Sequence, residues 1–332
     1  MQFARRSRRA SNIIQLLIAN ILTMTQPSLN YLTCPDTSGG HRMAYWQWGS
    51  AASPHVVVCV HGLSRQGRDF DVLARALCDR AEHHGQGLRV VCPDVVGRGH
   101  SDWLKDPAGY QVPVYAADML ALLAQLHHQS PMQTLDWVGT SMGGLIGLVA
   151  CGQAEVPMPR PVRKLVLNDV GPSLQWAAIE RIGRYLGRAG QFDTLQDAAN
   201  AMWAISSSFG PHTPEQWLEL SRHMVRPLAG VPGAGSSPLT LHYDPAIATP
   251  FRAATESSTQ QGEKTLWQLY DNISAQTLVL RGAQSDLLSH ETALAMTQRG
   301  PRARLVEFEG VGHAPTLNAA DQVAVVLGFL LG

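Results

Sequence analysis

Gly139-Thr140-Ser141-Met142-Gly143 sets a serine between two glycines at a spacing suited to a nucleophile. An apolar run at 135–138 leads in and a glycine-rich aliphatic run at 144–149 leads out. A strand therefore feeds a sharp turn that breaks into a helix. Such a turn strains the serine backbone and lifts Oγ clear of the sheet. Its flanking glycines are required because a Cβ there would collide with the neighbouring strand or helix. A serine hydroxyl needs a base to take its proton. Of the thirteen histidines, His313 has the best setting: Gly310-Val311-Gly312-His313-Ala314-Pro315 follows a strand-like stretch, in a loop at the sheet edge. The imidazole in turn needs a carboxylate to fix its tautomer. Asp286, in Leu280-Arg281-Gly282-Ala283-Gln284-Ser285-Asp286, is the favoured partner. Asp169, in Leu167-Asn168-Asp169-Val170-Gly171-Pro172, is its rival, and either could instead cap a helix or brace a loop. An oxyanion formed at this serine needs preorganised donors. The Met142 N–H, at the start of the elbow helix, is one candidate. The Leu63 N–H, turned inward by His61-Gly62-Leu63, is the other, with His61 bracing that loop.

Positioning these groups requires a sheet. Short apolar runs alternate with helical spacing, which predicts an α/β chain with a mostly parallel eight-stranded sheet and helices on both faces. Strands are expected over 29–34, 42–48, 56–60, 90–92, 135–138, 164–167, 277–280 and 304–308. Helices are expected over 70–81, 114–126, 145–151, 291–297 and 321–331. The first two strands lack a helix between them and should form an antiparallel edge. The alternation breaks after Pro172, which divides the chain into a core of 28–172 and 267–332 and a helical cap of 173–266. That insertion shows helical patterns at 179–186 and 217–224 and a glycine- and proline-dense loop at 230–238. It also contains Trp176, Trp203 and Trp217, with Trp267 at its end; aromatic walls of this kind would favour apolar acyl or alcohol groups.

Taken together, the His61-Gly62 pair, the run Pro93-Asp94-Val95-Val96-Gly97-Arg98-Gly99-His100-Ser101, the elbow, the strand followed by Asp286, and Gly312-His313 resemble the α/β-hydrolase superfamily. The order Ser, Asp, His is that family's order. The resemblance covers residues 28–332, with the insertion matching only in position. It implies the α/β-hydrolase fold, Ser141 as nucleophile, His313 as base, Asp286 as acid, and the Leu63 and Met142 amides as oxyanion donors. Asp94, Arg98 and Ser101 match a loop that is usually structural. Meta-cleavage-product C–C hydrolases usually carry a Gly-Pro-Gly-like run after the His-Gly pair, whereas this chain has Leu63-Ser64-Arg65-Gln66-Gly67. Ser141 stands where haloalkane dehalogenases and epoxide hydrolases place aspartate. Arg65 lies near the expected pocket mouth, where it could meet an acidic group, although a loop arginine is more often solvated.

The expected activity is hydrolysis of a small or medium carboxylic ester through an acyl-enzyme. The alternatives are the same triad acting on a lactone, a thioester, a C–C bond or in perhydrolysis, or a non-enzymatic small-molecule binder on this fold. A zero formal net charge and the lack of a long basic run after the first residues give nucleic-acid binding no support. No cofactor or metal is expected, since no phosphate loop, dinucleotide fingerprint or ligand spacing is present. Cys34, Cys59, Cys78, Cys92 and Cys151, odd in number, read as reduced thiols of a cytoplasmic protein. Residues 1–27 read as an extension without order. Arg5, Arg6, Arg8 and Arg9 before an apolar run at 13–22 leave export or membrane association as a weaker reading. Nothing in the sequence speaks to oligomeric state.

Overall fold

The run HVVVCV at 55–60 has the length and β-branching of a fully buried strand, and its alternation sends side chains to both faces of a sheet. The computed structural model describes residues 26–36, 39–153, 155–188, 190–228 and 238–332. The expected extension at 1–27 therefore lies almost wholly outside the described residues, as does most of the loop at 230–238.

In chain order the main strands are β1 (Ser28–Cys34), β2 (His41–Gly49), β3 (His55–Val60), β4 (Arg89–Asp94), β5 (Thr134–Thr140) and β6 (Val162–Asn168). After short strands β7 (Gln191–Phe192), β8 (Val225–Pro227) and β9 (Leu239–Leu241), the sheet is completed by β10 (Gln276–Gly282) and β11 (Arg304–Phe308). The eight main strands lie in the order β1-β2-β4-β3-β5-β6-β10-β11. β2 is antiparallel to both β1 and β4, and the other pairs are parallel. This is the antiparallel edge and parallel body that the sequence implies.

Helices cover both faces. Val57 and Cys59 pack with Leu73 and Leu77 of α1 (Asp71–His83), while Val56, Val58 and Val60 face the other way. That second face is covered by α2 (Val112–Gln129) and α3 (Met142–Gly152). Between β6 and β10 the chain leaves the sheet to form α4 (Trp176–Tyr185), α5 (Leu195–Ser206), α6 (Pro214–Arg222), α7 (Ala248–Ala253) and α8 (Glu256–Asp271). Thr194, Thr213 and Thr255 each close a capping box at the start of α5, α6 and α8. α8 runs past residue 266 and ends against α3, so closely that a Cβ on Gly152 would lie 2.2 Å from the Leu269 carbonyl oxygen. β7, β9 and β8 form a small antiparallel sheet that the sequence did not suggest, because strands of two and three residues carry no periodicity to detect. α9 (His290–Gln298) and α10 (Ala320–Leu331) complete the chain, the latter packing beside α1.

The insertion is fastened to the core near the site. Gly99 N–H donates to the His242 carbonyl at 2.9 Å and Asp244 N–H to the Gly97 carbonyl at 2.7 Å. All five cysteines are unpaired, with Cys34, Cys59 and Cys92 buried. Among the described residues no helix is long and apolar enough to cross a membrane.

Candidate active site

β5 ends at Thr140 and α3 begins at Met142, so Ser141 alone makes the turn. Its φ of 51° and ψ of −116° lie where side-chain-bearing residues are strained. The glycines on either side permit this. A Cβ on Gly139 would come within 2.3 Å of the Gly143 carbonyl oxygen, and one on Gly143 within 2.0 Å of the Val60 carbonyl oxygen. The elbow is thus wedged between its own helix and β3.

The loop after β11 brings His313 Nε2 to 2.9 Å from Ser141 Oγ. The other ring nitrogen, Nδ1, lies 2.7 Å from Oδ2 of Asp169. A carboxylate at Nδ1 holds the proton there and leaves the Nε2 lone pair facing the hydroxyl.

Asp286, the carboxylate expected at His313, does not reach it. It accepts from Nε and Nη2 of Arg181 at 2.6 and 3.0 Å, with its side chain 47% exposed. Successive side chains in the loop after β10 diverge: Ser285 turns inward and Asp286 outward. Because β6 is the neighbour of β10, Asp169 at the end of β6 reaches the position from the adjacent strand. With a φ of 55°, it is fully buried, and its own N–H donates to the Leu280 carbonyl. Besides His313, Asp169 accepts from Gly282 N–H at 2.9 Å and from Ser285 Oγ at 2.6 Å. Three donors thus compensate this buried carboxylate.

Met142 is the first residue of α3, so its N–H has no intrahelical acceptor. The loop bearing Leu63 packs on the elbow, a Cβ on Gly62 coming 3.7 Å from that of Ser141. His61 braces this loop. Its Nδ1 donates to the Gly62 carbonyl at 2.7 Å, and its Nε2 accepts from Val95 N–H at 2.9 Å. Burial, aided by the nearby Arg98 and Arg65 charges, pushes the His61 imidazole down to about 3, so it stays neutral.

Several supporting contacts escaped the sequence reading, which had Arg98 only as part of a structural loop. Buried Arg98 donates from Nε to the Leu63 carbonyl at 2.8 Å and from Nη1 to the Val96 carbonyl at 2.6 Å. It belongs to a run singled out by its motif, but which backbone it would grip was not encoded there. Asn168 Nδ2 donates to Thr140 Oγ1 and to the Pro315 carbonyl, joining the chain on either side of the Ser141–His313 contact. Ser208, from the insertion, donates its hydroxyl to the His313 carbonyl at 3.2 Å. Contacts so distant in sequence leave no local pattern.

Two cavities meet at Ser141, of about 410 Å³ and about 600 Å³. Arg65 lines the first and is not free in solvent: its guanidinium grips Asp69 at 2.6 and 2.7 Å. The aromatic walls are not the expected tryptophans. Phe192, Phe209 and Tyr243 line the smaller cavity, and Tyr110, Tyr115 and Phe251 the larger. Trp217 instead packs against Trp203 and Phe209 and donates Nε1 to the Ala199 carbonyl, building the insertion's own small core.

Residues 55–320 match the family described as the alpha/beta hydrolase fold. The chain belongs to the α/β-hydrolase family. Over 306 residues this hydrolase is 48% identical to the 3-hydroxybutyrate-oligomer hydrolase of Cupriavidus necator, covering 92% of this chain and 98% of that protein. It is 25% identical over 247 residues to the 2-hydroxymuconate semialdehyde hydrolase of Pseudomonas sp. (strain CF600), covering 73% of this chain and 76% of that protein. A solved α/β hydrolase from Novosphingobium aromaticivorans superposes with a TM-score of 0.73 at 33% identity, covering 92% of this chain and 98% of that one.

Proposed function

We propose that this hydrolase cleaves short soluble oligo-esters of 3-hydroxybutyrate through an acyl-enzyme on Ser141. The observation that carries the chemistry is the continuous relay of Ser141 Oγ, His313 and Asp169 at 2.9 and 2.7 Å. The relative that is 48% identical over nearly its whole length supports the substrate class. In this reading His313 Nε2 takes the hydroxyl proton as Oγ attacks the ester carbonyl. Asp169 holds the imidazolium, and the Leu63 and Met142 amides receive the oxyanion. Collapse expels the alcohol, which takes the proton from His313, and water releases the acyl group by the same route. Asp169, not Asp286, is the acid. The five unpaired cysteines support a reducing compartment, the cytoplasm, as its place of action.

Ser141→Ala tests this assignment. Release of 3-hydroxybutyrate from its trimer should fall roughly a million-fold, as for removal of a triad nucleophile, with an unchanged melting curve. A variant retaining more than about a hundredth of the parent rate would remove Ser141 from the chemistry.

A further inference from the structure

The two cavities that meet at Ser141 differ in charge. Among the described residues, the smaller is lined by Arg65, Arg181 and Arg188 against one carboxylate, Asp69, whereas the larger is lined by no charged side chain. Leu63, Ser141 and Ile182 belong to both walls, so the reacting serine stands at the border. Asp69 neutralises Arg65. Asp286 holds Arg181 on the wall, which gives the aspartate displaced from His313 a place in the site. Arg188 is exposed in the turn that follows α4, and among the described residues its guanidinium has no hydrogen-bond or ion-pair partner.

An oligomer of 3-hydroxybutyrate carries one charge, the carboxylate at its acid end; the remainder is ester, methyl and a terminal hydroxyl. A guanidinium matches a carboxylate in charge and geometry. An uncharged, mostly apolar wall suits the methyl-bearing units. Building on the oligomer reading above, we propose that Arg188, with Arg181 on the same wall, binds the carboxylate of the acid-end unit, so that the enzyme removes units from that end. The acid-end unit then occupies the arginine-lined cavity as leaving group, and the rest of the chain occupies the uncharged one as acyl group. Ser141 Oγ bonds to the carbonyl carbon of the last ester, and the bond from that carbon to the acid-end unit's oxygen breaks. The serine proton passes through His313 to the departing oxygen, releasing 3-hydroxybutyrate. Water then cleaves the acyl-serine ester, leaving a chain one unit shorter with a new carboxylate for the next round.

The test compares kcat/KM for the trimer as free acid and as its methyl ester, in the parent and in Arg188→Gln. The same comparison uses the butyryl ester of 3-hydroxybutyrate, which carries the carboxylate without the oligomer, and its methyl ester, in which that charge is capped. The free acid should be preferred about tenfold or more in both pairs, and Arg188→Gln should bring the ratio toward one. From a trimer deuterated in its hydroxyl-end unit, the first monomer released should be unlabelled. Equal rates on acid and methyl ester, a ratio that Arg188→Gln leaves untouched, or labelled monomer appearing first would overturn the carboxylate site. Cleavage of the trimer without acid preference would sink this site and leave the oligomer reading standing. Acid preference on the butyryl ester with an inert trimer would do the reverse.

Discussion

Asp169 and Asp286 are the same residue type, one at the end of β6 and the other in the loop after the neighbouring β10, and their surroundings differ. Asp169 is buried, with Gly282 N–H, Ser285 Oγ and His313 Nδ1 converging on it. Asp286 is half exposed and engaged with Arg181. Asp169→Asn should therefore lower kcat on the trimer by up to about 10⁴-fold, because an amide favours the wrong His313 tautomer. Asp286→Asn should act far more mildly, through Arg181. Kinetics of the two variants side by side give the ranking, and the opposite order would return the acid to the loop after β10. The sequence carried both candidates. It could not choose between them, because the choice depends on which way neighbouring side chains point in a turn. Ser285 and Asp286 differ by one position, and only the inward one meets the relay.

At the scale of elements, the elbow depends on close backbone approach. Gly143→Ala should cost about 3 kcal/mol, since the new methyl would stand 2.0 Å from the Val60 carbonyl oxygen, a rigid strand atom; chemical denaturation would measure it. A second element contact gives a pH signature. His41, at the start of β2, lies 2.9 Å from Asp36 and 3.0 Å from Asp118 of α2, tying the antiparallel edge to the helix layer. The hydrogen bond to Asp118, with further help from Asp36, pushes the His41 imidazole up to about 9. A pKa raised on folding means stability that is complete below the unfolded value of about 6.5 and is lost as pH climbs through about 9. The melting temperature should fall between pH 7 and 10, and His41→Asn should flatten that slope. Cys34, His41 and Asp118 also place ligand-type atoms within 4.8 Å of one another, but both ring nitrogens of His41 are already engaged by carboxylates. The eight long strands were legible because each carries apolar residues, as a run or in alternation, over a sufficient length. β7, β8 and β9 were not, because pairs and triplets of residues have no period.

On the scale of the whole molecule, the insertion reaches down to the site through Ser208 and His212, which contact the His313 carbonyl and Thr316 Oγ1. Ser141 stands between two cavities of about 410 and about 600 Å³. Soluble 3-hydroxybutyrate oligomers should accordingly exceed emulsified long-chain triglycerides in kcat/KM, and the reverse preference in a paired assay would mean that the insertion opens onto a lipid surface. The tryptophans pointed to an aromatic insertion from the sequence. Trp217 and Trp203 instead pack on each other between α5 and α6, with phenylalanines and tyrosines at the cavity walls, an arrangement that no single segment encodes. The most direct measurement is peptide mass spectrometry of enzyme quenched during turnover of the 3-hydroxybutyrate trimer. Acyl transfer through Ser141 predicts a hydroxyacyl ester on the peptide that contains Ser141, absent from Ser141→Ala. Turnover of the trimer with that peptide unmodified at every quench time, and undiminished in Ser141→Ala, would contradict it.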